Sequence, residues 1–77
     1  MNIPCVKIIK DRQNYQFMYE DLPIHEDKLI PRLIEIQPKM LNIIVYKNDK
    51  VFWNVYYPIQ NVDDIEKKIW KAFKFKM

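Results

Sequence analysis

The chain contains no glycine, no serine and no threonine. Without serine or threonine it lacks the common hydroxyl nucleophiles, and without glycine it lacks the loops that cradle phosphates. The favoured helix caps shrink to asparagine and aspartate. A single cysteine, Cys5, excludes an internal disulfide and suits a reducing compartment. The only histidine, His25, stands beside Glu26 and Asp27 with no second histidine one helical turn away, so no metal site is expected there. Acidic residues at a helix start explain that cluster better. No cofactor motif is present, and enzymatic activity is not expected.

Long apolar runs are missing too. Nothing approaches the roughly 18 residues of a membrane-spanning helix. No signal-peptide pattern of basic start, apolar stretch and small-residue cleavage site appears. A cytoplasmic location follows as the expectation. Arginine is scarce, with two residues against eleven lysines, which disfavours bidentate reading of bases. Together with abundant isoleucine, asparagine and tyrosine, this bias resembles proteins encoded by AT-rich genomes, including those of phages.

What is present is organised around Met40 to Tyr57, which reads as two strands folded back at Lys47-Asn48-Asp49-Lys50. Regular alternation pairs Tyr46 with Val51, Ile44 with Trp53, Asn42 with Val55 and Met40 with Tyr57 on one face. The other face then holds Val45/Phe52, Ile43/Asn54 and Leu41/Tyr56. Both faces are mostly apolar, the pattern of strands covered on two sides. A domain of 77 residues buries only about 60 to 65% of its unfolded surface, so two covering layers are hard to supply from within. A partner is expected to supply one.

Upstream, Asn2 to Lys10 and Tyr15 to Glu20 form a first hairpin, pairing Lys10 with Tyr15, Ile8 with Phe17 and Val6 with Tyr19. This hairpin is one-sided, with Lys7, Gln16 and Glu20 on its wet face. Leu29, Ile30, Leu33 and Ile34 then recur at helical spacing, although Pro31 sits among them. The spacing predicts a helix over Ile24 to Gln37 kinked at Pro31, or else a helical turn followed by a strand over Arg32 to Gln37. A final helix runs from Val62 to about Phe75, capped by Asn61, with Ile65, Ile69, Ala72 and Phe73 as its apolar stripe. A weak similarity at an offset of 35 residues, matching Phe17 with Phe52 and Pro23-Ile24 with Pro58-Ile59, raises a ββα duplication.

The expected fold is therefore a single small α+β domain of ββαββα order, a four-stranded, mostly antiparallel sheet with the C-terminal helix on one face. The expected function is protein binding through an aromatic sheet face carrying Ile44, Tyr46, Trp53 and Tyr57. The partner is a second copy in a homodimer or a larger host protein, such as replication or transcription machinery, inhibited or modulated by a phage or mobile-element product. The alternative is a nucleic-acid-binding domain in which Lys67, Lys68, Lys71 and Lys74 meet phosphates while Trp70 and Phe75 stack on bases.

Overall fold

The computed structural model describes residues 3–76, with side chains for 3–74. The first hairpin pairs as the alternation requires, in β1 (Cys5–Asp11) and β2 (Asn14–Tyr19), with Ile8 opposite Phe17 and Val6 opposite Tyr19. The expected start at Asn2 lies outside the described residues. Glu20 and Asp21 then turn the chain again with φ of 52° and 66°, and a short β3 (Leu22–Ile24) pairs with β2. A tight turn of two left-handed residues normally calls for glycine or asparagine. This glycine-free chain makes it with glutamate and aspartate, so the strand was not legible from turn residues.

The helix α1 (Glu26–Ile36) runs unbroken through Pro31. The helix expected over Ile24 to Gln37 is present, shorter by two residues at its start and one at its end, and the alternative strand over Arg32 to Gln37 is not formed. Burial of Leu29 and Leu33 against the sheet outweighs the backbone bond that proline forfeits. His25 acts as N-cap, its Nδ1 accepting from the Asp27 amide at 3.2 Å. Gln37 closes the helix in the left-handed region at φ 55°, and Pro38 follows.

The central hairpin consists of β4 (Met40–Lys47) and β5 (Lys50–Pro58), joined at Asn48 and Asp49, whose φ values are 53° and 64°. The chain ends in α2 (Val62–Lys76). Its start is held by Asp64, whose carboxylate accepts from the Asn61 and Gln60 amides at 3.3 and 3.2 Å. That contact is half of a capping box without serine or threonine.

The sheet has five strands in the order β3-β2-β1-β4-β5, and β1 lies parallel to β4 while every other pair is antiparallel. The molecule is thus a small single-domain α+β fold with a mixed sheet and two helices, in place of the expected four-stranded sheet and ββαββα order. Leu29 and Leu33 of α1 and Ile65, Ile69 and Ala72 of α2 join one core with Val6, Ile8, Phe17, Leu41, Ile43 and Val45. Both helices therefore cover the same face of the sheet.

That arrangement speaks against a ββα duplication. Seen from the helices, β2 lies on one side of β1 and β5 on the opposite side of β4, although β1 and β4 run parallel. The two halves turn in opposite senses and cannot superpose. Phe17 is buried in the core while its supposed counterpart Phe52 is 54% exposed.

Candidate functional site: the uncovered face of the sheet

The register places residues on the face away from both helices in three rows across the strands. Gln16, Ile9, Tyr46 and Val51 form one row, and Pro23, Met18, Lys7, Ile44 and Asn54 the next. Cys5, Asn42 and Tyr56 form the third. Among the described residues no helix lies over these rows. Tyr56 is 57% exposed and Met40, at the end of β4, 37%. Ile9, Ile44, Tyr46 and Met18 are partly exposed. These apolar groups are spread over β2, β1, β4 and β5, with Lys7, Asn42 and Asn54 among them.

The expected site divides across the sheet. Ile44 and Tyr46 lie on the uncovered face, but Trp53 and Tyr57 do not join them. Regular alternation would pair Ile44 with Trp53; instead Val45 pairs with Trp53 and Tyr46 with Val51, so β5 carries one extra residue at Phe52. Such a bulge turns everything beyond it through one residue and exchanges the faces. Trp53, Val55 and Tyr57 consequently pack against the core beside Val45, Ile43 and Leu41. Trp53 and Tyr57 stack edge to face with centroids 6.1 Å apart. Tyr56, Ile9, Met18 and Met40 take their place on the open face.

A polar pair locks the slipped register. Asn42 is 6% exposed, and its Nδ2 donates to Asn54 Oδ1 at 2.7 Å and to the Val55 carbonyl at 3.0 Å. A buried amide is tolerable when its donors are used in this way. The Lys7 ammonium, in the middle row, pairs with the Asp21 carboxylate, which raises the lysine pKa mainly through that hydrogen bond. Burial raises the Cys5 thiol pKa, only partly offset by Lys7, and so keeps the thiol protonated.

The lysine-rich helix departs from the expected geometry at Lys68. Lys67, Lys71 and Lys74 are exposed on α2, whereas Lys68 is partly buried with its ammonium 5.0 Å from the centre of the Tyr57 ring. Trp70 packs edge-on against Phe17 and Phe73, at 6.3 and 5.4 Å between centroids, so it belongs to the rim of the core. The Phe75 side chain, named as a stacking group, lies outside the described side chains. His25, Glu26 and Asp27 sit at the start of α1, and among the described residues no group of three or more His, Cys, Asp and Glu could hold a metal ion. Among the described residues no helix is long and apolar enough to cross a membrane.

No family model matches the chain, and no curated protein or solved structure matches it either.

Proposed function

We propose that this chain is a small protein-binding module, acting without catalysis, whose working surface is the uncovered face of the sheet. One observation carries the reading: both helices pack on a single face, leaving Ile9, Ile44, Tyr46, Tyr56 and Met18 together on the other. Tyrosine and methionine are favoured in the cores of protein interfaces. Lys7, neutralised by Asp21, leaves little net charge at the centre of that face. A larger protein that this chain inhibits or modulates is the partner, in the manner of a phage or mobile-element product working in a host cytoplasm. Affinity capture tests the reading. A partner retained by the wild type should be lost when Tyr46→Asp and Tyr56→Asp are combined, with the circular dichroism spectrum unchanged.

A second reading places nucleic acid on α2, where Lys67, Lys71 and Lys74 are exposed in one strip. Its aromatic component is weakened by the packing of Trp70. It requires binding to a single-stranded oligonucleotide that falls steeply with salt and disappears on reversing those three charges. The sheet-face reading requires partner binding that survives the same reversal.

A further inference from the structure

The two edges of the sheet differ. The edge strand β3 has three residues with Pro23 at its middle, and so offers little to a neighbouring strand. The opposite edge, β5, has nine residues and no charged side chain between Lys50 and Pro58. Its lysine and its proline sit at its ends, and its bulge, at Phe52, leaves Trp53 to Tyr57 regular.

The outward-facing groups of β5 can be identified. The Ile59 amide donates to the Lys39 carbonyl at 2.8 Å, so Ile59 belongs to the residues bonded toward β4. Antiparallel strands alternate bonded and non-bonded pairs. Val55 and Tyr57 are therefore bonded inward, while Asn54, Tyr56 and Pro58 point their backbone groups away from β4. Two facts agree. The Val55 carbonyl, on the inner side, accepts from Asn42. Pro58 stands where its missing N–H would have faced outward.

We infer that β5 pairs with β5 of a second copy, antiparallel about a two-fold axis at Asn54, joining two sheets into one. In that register Asn54 faces its own copy and Trp53 faces the partner's Val55, while Phe52, turned to the helix side by the bulge with its ring 4.3 Å from the Lys47 ammonium, falls outside the paired rows. No charged side chain lies between Lys50 and Pro58, so no like charges meet along the seam. Self-complementarity of this kind is what a two-fold interface demands. An aromatic with a β-branched residue, as Trp53 with Val55, is a favourable cross-strand combination. The pairing also completes the core, because Trp53, Val55 and Tyr57 pack against it yet remain partly exposed on this outermost strand. The seam is the backbone edge of β5; the Asn54 and Tyr56 side chains also border the open face, but the inference rests on the edge and not on the proposed function.

Light scattering combined with amide exchange on the wild-type chain tests it. The expected mass is twice the 9.5 kDa of the monomer. The Asn54 and Tyr56 amides should exchange at least about tenfold more slowly as concentration rises through the dimer transition. Asn54→Lys sets two ammonium groups against each other at the axis and should return the mass to the monomer; Asn42 keeps its bond to Val55 in that variant. Tyr46→Asp, on the open face, should leave the dimer intact. A monomer at every concentration with freely exchanging Asn54 and Tyr56 amides overturns the inference. So does a dimer in which those two amides stay unprotected, since it must use another surface. If Asn54→Lys fails to fold, the wild-type exchange pattern decides alone.

Discussion

Asn42 reaches across the β4–β5 ladder to Asn54, donating from Nδ2 to Oδ1 at 2.7 Å. Both amides thereby lie on the face away from the helices, an outcome that regular pairing forbids and the bulge at Phe52 permits. The bond therefore selects which aromatic residues enter the core and which face outward.

Two substitutions separate those roles. Trp53→Ala removes a ring packed on the core and should cost about 2 to 3 kcal/mol, lowering Tm by roughly 10 °C or more. Tyr46→Ala, on the open face, should cost less than about 1 kcal/mol. Thermal denaturation of both variants checks the difference, and equal losses would mean that the open face is buried.

The turn at Glu20-Asp21 holds a glutamate at φ 52°. A residue other than glycine or asparagine in that region costs roughly 1 to 2 kcal/mol. Glu20→Asn relieves part of the cost without adding glycine's entropy to the unfolded chain. Stability should rise by about 0.5 to 1 kcal/mol, read as a gain of roughly 2 to 8 °C in Tm.

Pro31 sits inside α1 without an amide to donate. Pro31→Ala restores that bond and should raise stability by about 1 kcal/mol or more, even after the unfolded chain regains freedom. An unchanged or lower midpoint in urea would show that Pro31 is favoured by its surroundings.

Burial raises the Cys5 pKa, with Lys7 opposing and Glu20 and Asp21 adding to the rise. The folded chain thus holds the thiol proton more tightly than the unfolded chain. The resulting stability is complete below the ordinary thiol pKa and is lost as pH climbs through the raised one. At neutral pH a thiol reagent should modify folded Cys5 more slowly than the same residue in urea, with the rate climbing at alkaline pH.

Much of the fold is written in local pattern. The first hairpin follows from the alternation of Val6 and Ile8 with Phe17 and Tyr19, and α2 follows from Ile65, Ile69 and Ala72. Three features depended on something less local. β3 begins at a turn whose Glu20 gives no turn signal, and α1 survives Pro31 because its neighbours bury Leu29 and Leu33. The parallel contact of β1 with β4 is a tertiary choice that no short window encodes. The open face was half legible, through Ile44 and Tyr46. Its other half had one available signal, since placing Asn42 and Asn54 on a common polar face demands a one-residue slip and moves Trp53 and Tyr57 into the core.

Hydroxyl-radical footprinting of the chain alone and with its captured partner tests the central claim most directly. Tyr46, Tyr56 and Met18 should be oxidised readily in the free chain and protected in the complex, while Tyr19 on the helix-covered face changes little. Protection confined to α2, with Tyr46 and Tyr56 oxidised at the same rate in both states, would contradict the sheet face as the binding surface.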